Sequence, residues 1–190
     1  KAVGAAAASS GAVALFHAIG STPEAPTLDA ATGGLAPERV EEVTFAELRE
    51  ERAALSTADA TGPLRAVALG TPHASLTELT RLLDGLGDRR VANGVELMVS
   101  TARDILDAAE AVGMAERLRK AGVTILVDTC SYVSPALRTG TGAVMTDSGK
   151  WAHYAPGNLG ARVVFGSTAD CVASALAGRV VRLPSAWDAP

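Results

Sequence analysis

The sequence has few of the groups that most often mark function. Its 190 residues contain two cysteines, Cys130 and Cys171, and three histidines. A disulfide framework is therefore excluded, while a single bridge between the two thiols stays open. No CxxC pair occurs, so cysteine spacing alone gives no zinc or cluster signature. Aromatic residues are only 4% of the chain; alanine and valine dominate the apolar fraction, which suits helices packed closely on a sheet. The net charge is −4 and the basic residues are dispersed, which argues against a nucleic-acid partner. No apolar run reaches the length of a membrane span. The first stretch, residues 2–19, is interrupted by Ser9, Ser10 and His17 and lacks the layout of a signal peptide. A cytoplasmic protein without a membrane partner is the expectation. The chain starts at Lys1, without Met, and reads as a piece of a longer protein.

What is present has a rhythm. Residues 1–190 are expected to form one α/β domain, with 1–63 as a helical and loop lead-in and 64–190 as repeated strand–helix units. Residues 2–19 read as an alanine-rich helix, and 21–27 as an extended loop stiffened by Pro23 and Pro26. Thr44-Phe-Ala-Glu47 and Ser75-Leu-Thr-Glu78 are capping-box patterns that open helices. Short apolar runs at 64–69, 95–99, 123–127, 143–146, 162–165 and 179–183 read as strands. Ser100 or Thr101 would cap a helix over 102–112, Gly113 would break it, and further helices would cover 114–121 and 170–177. Strands alternating with helices predict a mainly parallel sheet with helices on both faces.

In such a sheet, ligands gather beyond the carboxyl ends of the strands. The residues following the strands are His73, Ser100-Thr101, Asp128-Thr129-Cys130, Thr146 to Lys150 and Gly166-Ser167. Residues 128–156 then read as two strand-end loops that converge. Three chemistries compete for these groups. Cys130 could be a nucleophile with His73 or His153 as its base. Cys130 and Cys171, with a third ligand, could hold an iron–sulfur centre. Ser100-Thr101 and Gly166-Ser167 could bind an anion at helix starts. Each residue also has a plainer role. Cys171 could be a buried small hydrophobe, Asp128 a cap, Lys150 a solvated surface group, and His17 a packing histidine.

Several segments resemble aconitase X, and they run in order along the whole chain. They are Ala6-Ala-Ala-Ser-Ser-Gly-Ala-Val-Ala-Leu-Phe-His17, Gly20-Ser-Thr-Pro-Glu-Ala-Pro-Thr27, Gly70-Thr-Pro-His73, Val127-Asp-Thr-Cys130, Thr146-Asp-Ser-Gly-Lys-Trp-Ala-His-Tyr-Ala-Pro156 and Val164-Phe-Gly-Ser167. The resemblance places the chain in the C-terminal half of that family's catalytic part and implies an aconitase-like three-layer α/β fold. It implies a hydro-lyase that dehydrates a small hydroxy acid, with cis-3-hydroxy-L-proline first and mevalonate 5-phosphate as the alternative. A non-catalytic small-molecule-binding domain that keeps the scaffold is a further alternative.

The resemblance also implies an iron–sulfur cluster (2Fe-2S or 4Fe-4S) completed by ligands outside this chain, with Cys130 and then Cys171 as metal ligands. Ser148, Lys150, His153 and His73 become catalytic candidates, with Lys150 and His153 foremost for carboxylate binding or proton handling. Ser9, Ser10, His17, Thr22, Glu24 and Tyr154 become substrate-side candidates. The implied partners are a small swivelling subunit or domain and the N-terminal half of the catalytic part. The chain departs from the family pattern at Thr71, where many relatives carry Cys, and at Asp147, where Asn is more usual.

Overall fold

The computed structural model describes residues 1–59, 61–133, 136–137, 141–185 and 187. The lead-in contains α1 (Ala2–Gly11), α2 (Leu28–Thr32) and α3 (Phe45–Ala54). From residue 64 the elements are β1 (Leu64–Ala74), α4 (Leu76–Leu86), β2 (Glu96–Thr101), α5 (Arg103–Ala111), α6 (Met114–Lys120) and β3 (Val123–Val127). They continue with β4 (Ala143–Thr146), α7 (Gly149–Leu159), β5 (Val163–Phe165) and α8 (Thr168–Ala177).

The five strands form one sheet in the order β3-β2-β1-β4-β5, and every neighbouring pair is parallel. The expected α/β architecture is the observed one. Side-chain alternation sorts each strand between two cores. Val67, Leu69 and Met145 face α4, α5, α6 and α8, whereas Ala66, Ala68 and Val144 face α7. Leu79, Leu82, Leu83 and Leu86 line the buried side of α4. Burying each contributes roughly 2–3 kcal/mol, which fixes α4 on the sheet.

Local chemistry explains most of the boundaries. Complete capping boxes open α3 (Thr44–Glu47), α4 (Ser75–Glu78) and α8 (Ser167–Asp170). The first two follow the predicted pattern. Ser56 and Thr57 satisfy the free edge of β5: their hydroxyls accept the backbone N–H groups of Phe165 and Val163. Among the described residues of the lead-in only Ala25 is buried, and Leu15, Leu35 and Val40 are more than three-quarters or close to three-quarters exposed (77%, 75% and 82%). The described residues of the lead-in form no apolar core of their own.

Several expectations are corrected. The first helix ends at Gly11, because Ala12 turns into the left-handed region (φ 52). Residues 18–25 are not extended but folded on themselves. Ser21 and Thr22 N–H groups donate to Ala18 O, and Ala18 N–H donates to the Thr22 hydroxyl. Ser100 and Thr101 lie inside β2 and cap nothing. The N-terminus of α5 is capped across the fold by Asp128, which accepts Arg103 N–H at 3.0 Å. β1 runs on through Gly70-Thr71-Pro72-His73 to pair Ala74 with Thr101, past a bulge after Leu69. Residues 149–159 are a helix, not a loop, with Pro156 inside it. In place of a strand over 179–183 there is an isolated antiparallel bridge between Pro63 and Arg179.

Candidate functional site at the switch point of the sheet

Chain order reverses between β1 and β4: β2 and β3 extend to one side of β1, β4 and β5 to the other. Ligands bind at such switch points, outside the carboxyl ends of the strands. Two polar segments meet there, Gly70–Ala74 of β1 and Thr146–Ser148 at the end of β4. Gly70 is required. Its φ is +77°, and a Cβ would lie 2.2 Å from Ser100 O. Ser148 ties the two segments together. Its buried hydroxyl donates to Thr71 O at 2.8 Å and accepts Trp151 N–H at 3.2 Å, so it also caps α7.

Thr71, Pro72 and Ser148, called the ridge below, line a cavity on one side, and Pro72 O lies near Cys130 on the other. On the α4/α8 side is a cavity of about 140 Å³ whose wall includes Leu69, Leu82 and Val99 with Glu78, Arg81, Asp147 and Thr168. Burial raises the carboxyl of Asp147 above its ordinary range, against the hydrogen bond that its Oδ2 accepts from the Thr168 hydroxyl at 2.7 Å. Burial also opposes ionisation of Glu78, but hydrogen bonds from Lys1 and Ser75 outweigh it and hold that carboxyl low. Lys1 Nζ donates to Glu78 and to His73 O, at 2.5 and 2.7 Å.

On the α7 side are Cys130, Tyr132, Lys150 and Tyr154. Cys130 Sγ lies 4.0 Å from Pro72 O. Burial raises the Tyr132 phenol, and the hydrogen-bonded Lys150 ammonium opposes that rise. Tyr132 stacks on Tyr154 with centroids 5.8 Å apart, and His153 meets Tyr154 edge-on at 5.1 Å. Below them Trp151 Nε1 donates to the Ser131 hydroxyl at 2.9 Å, both side chains being buried.

The sequence candidates divide accordingly. Ser148 joins both sides. His73 borders the cavity region through its carbonyl and is half-buried. Cys130, Lys150 and Tyr154 come together, and His153 sits beside them but exposed. Ser9 and Ser10 are spent on their own helix, donating to Ala5 O and Ala6 O at 2.6 and 2.9 Å. Thr22 closes its turn, Glu24 is exposed, and His17 is half-buried with an Nδ1 that has no partner among the described residues. Tyr132 and Arg81 belong to no motif read from the sequence, and Glu78 is read there only as the partner in a capping box. Tyr132 follows Cys130 by two positions, and Glu78, Arg81 and Leu82 share one helical face by spacing; those were the available signals.

The two cysteines do not meet. Cys171 is fully buried in the core on the α8 side, where burial holds its thiol well above the ordinary range. Cys130 belongs to the opposite face. Among the described residues no group of three His, Cys, Asp or Glu could hold a metal ion. The two thiols therefore cannot ligate one centre together, Cys171 is sealed in the core, and the described residues of this chain alone do not supply a ligand set. Among the described residues no helix is long and apolar enough to cross a membrane.

The family description "Aconitase X third domain" matches residues 64–177, and "Aconitase X second domain" matches 1–53. The chain is 40% identical to a cis-3-hydroxy-L-proline dehydratase of Pseudomonas aeruginosa over 98% of its own length and 32% of that protein's. It is 37% identical to the phosphomevalonate dehydratase large subunit of Methanothermobacter thermautotrophicus, over 87% of this chain and 39% of that one. It thus spans about a third of the first relative's length and about two-fifths of the second's. The solved structure of Thermococcus kodakaraensis aconitase X in its holo-form superposes with a TM-score of 0.74 at 26% identity, over 92% of this chain and 43% of that one. On these grounds, and on its all-parallel sheet with the motif-bearing segments at the strand ends, the chain belongs to the aconitase X family.

Proposed function

We propose that this chain carries part of the active site of a hydro-lyase that dehydrates cis-3-hydroxy-L-proline. The observation that carries this reading is the crevice between β1 and β4, where Thr71, Asp147 and Ser148 meet at the switch point. The 40% identity to an enzyme of that activity supports it.

In cis-3-hydroxy-L-proline the hydroxyl and the carboxylate share one face of the ring, so the Cα–H lies on the other. Loss of water breaks the Cα–H and Cβ–O bonds from opposite faces. The C–H electron pair becomes the new C=C bond, and the hydroxyl departs as water after gaining a proton. The resulting enamine tautomerises to a cyclic imine. One group must accept a proton on one face while another assists the hydroxyl on the other. A ring bound at the Thr71–Pro72–Ser148 ridge would have the carboxylates of Glu78 and Asp147 to one side and Lys150 to the other. Lys150, held by Tyr132, handles a proton, and Ser148 keeps the ridge in place. His73 borders the same crevice. Tyr154 holds Tyr132, while His153 and the candidates Ser9, Ser10, His17, Thr22 and Glu24 act only where the rest of the protein closes over them.

Cys130 is the donor this chain offers to an iron–sulfur cluster, 2Fe-2S or 4Fe-4S, and the remaining ligands come from elsewhere in the protein. Such a cluster supplies a Lewis acid for a leaving hydroxyl. The partners are the rest of the catalytic part and a small swivelling subunit or domain, in the cytoplasm. A second reading, dehydration of mevalonate 5-phosphate, draws on the likeness to the phosphomevalonate dehydratase large subunit of Methanothermobacter thermautotrophicus. The test is the full-length protein with its small partner, purified without oxygen. Cis-3-hydroxy-L-proline should be converted to the cyclic imine and mevalonate 5-phosphate left intact. The reverse preference would install the second reading, and no turnover of either would overturn both.

A further inference from the structure

We propose that Asp147 and Arg81 are specificity-determining residues that bind, respectively, the amino group and the carboxylate of a zwitterionic α-amino acid. The inference rests on the hydroxyproline reading and names the groups that select its substrate class.

The cavity beside the ridge is bordered by two cations, Lys1 and Arg81, and two carboxylates, Glu78 and Asp147, so its wall charges cancel. Lys1 and Glu78 are already paired with each other. Asp147 and Arg81 are not paired. Asp147 is hydrogen-bonded only to neutral groups, the Thr168 hydroxyl and its own backbone N–H. Arg81 makes no ion pair or hydrogen bond among the described residues, and it rises from α4 one residue before Leu82, whose side chain is part of the cavity's apolar wall. Asp147 is half-buried, and the Lys1 charge that favours its ionised form is offset by that of Glu78, so a cation in direct contact with it would remove the cost of its desolvation.

A second polar group on the wall is also unused. Thr71 is 8% exposed, and its Oγ1 has no hydrogen-bond partner among the described residues. One unpaired carboxylate, one unpaired guanidinium and a spare hydroxyl around Leu69, Leu82 and Val99 match a small ring that carries an amino group and a carboxylate. The volume, about 140 Å³, is of the same small scale. A phosphate monoester with no amino group would leave Asp147 unpaired and bring further negative charge beside it and Glu78.

The experiment is calorimetric binding to the full-length protein, run alongside turnover. The probes are L-proline, which lacks the leaving hydroxyl, and cyclopentanecarboxylate, which lacks the nitrogen. Wild type should bind L-proline more tightly than cyclopentanecarboxylate. Asp147→Asn, which keeps an oxygen for Thr168, should weaken L-proline by about tenfold or more and leave cyclopentanecarboxylate nearly unchanged. Arg81→Gln, on the exposed side of α4, should weaken both. Thermal melting of each variant confirms that it is folded; if Asp147→Asn does not fold, Arg81→Gln decides alone. Unchanged L-proline binding in folded Asp147→Asn, or in Arg81→Gln, would overturn the proposal even with hydroxyproline turnover intact. Asp147-dependent binding of L-proline without turnover of hydroxyproline would uphold the proposal and sink the proposed reaction. No binding of L-proline by wild type would overturn the proposal.

Discussion

The two sides of the carboxyl edge are built from adjacent residues yet differ in kind. On the α4/α8 side the polar groups are carboxylates, a guanidinium and hydroxyls around a cavity with apolar walls. On the α7 side they are a thiol, two stacked phenols and an ammonium, beside a core that contains a buried tryptophan. Asp147 and Lys150 are three positions apart, but Asp147 directly follows the end of β4 at Thr146 and Lys150 lies in the first turn of α7, so they part company at Ser148. Alternation along a strand sends neighbouring side chains to opposite faces. A family of residues that share an edge is therefore not one constellation. The ridge of Thr71, Pro72 and Ser148 is what makes the two sides parts of one site.

The comparison can be broken most drastically at Gly70. Gly70→Ala places a Cβ 2.2 Å from Ser100 O at a φ of +77°. It should cost about 3 kcal/mol or more by denaturant unfolding of the full-length protein and disable both sides together. Ser148→Ala is the next largest change. It removes a helix cap and leaves the buried Thr71 carbonyl without its hydroxyl partner. About 2 kcal/mol should be lost, again with damage to both sides. A loss confined to one side would show that the ridge is not the coupling element.

Tyr132→Phe sharpens the contrast by touching the α7 side alone. It removes the phenol that hydrogen-bonds Lys150 and keeps the ring that stacks on Tyr154. Stability should change by about 1 kcal/mol or less, kcat should fall and KM should hold, and binding of L-proline should be unaffected. A rise in KM with kcat intact would place the phenol on the substrate rather than on the lysine.

The smallest effect concerns Asp147 and pH. Its carboxyl is raised above the ordinary value of 3.8 in the folded state, so the folded form holds its proton more tightly than the unfolded chain does. Stability is therefore lost as pH rises from 3.8 through the raised value, and the penalty is constant above that. Asp147→Asn should raise the melting temperature at neutral pH and have little effect below 3.8. Asp170 behaves oppositely. Burial raises its carboxyl, but the N–H groups of Leu183 and Ser167 and the Arg182 charge hold it low overall, so its contribution is present above 3.8 and lost as pH falls below it. Asp170→Asn should thus destabilise most at neutral pH.

Much of the fold was legible because its signals are local. The boxes at Thr44 and Ser75 and the leucine spacing of α4 need no tertiary information. The strand-end rule then selected Cys130, Ser148 and Lys150. What stayed illegible depends on distant partners. Asp128 caps a helix that starts 25 residues earlier in sequence, which no local pattern announces. The helix over Gly149–Leu159 was hidden by Gly149, Gly157 and Pro156, and it holds because Trp151, Ala152 and Ala155 bury against the sheet. The pairing of Cys130 with Cys171 rests on their being the chain's two thiols and on the resemblance, whereas the face each thiol takes is decided by register and packing.

The most direct test of the account compares those two thiols in the full-length protein. Cys130→Ser and Cys171→Ser are prepared without oxygen, and bound iron is read with turnover of cis-3-hydroxy-L-proline. Cys130→Ser should stay as stable as wild type but lose iron and activity. Cys171→Ser should lose about 1–3 kcal/mol, because it buries a hydroxyl in an apolar core, yet keep iron and turnover per folded molecule. Iron lost from Cys171→Ser and retained in Cys130→Ser would contradict the placement of the chemistry on the α7 side of the ridge.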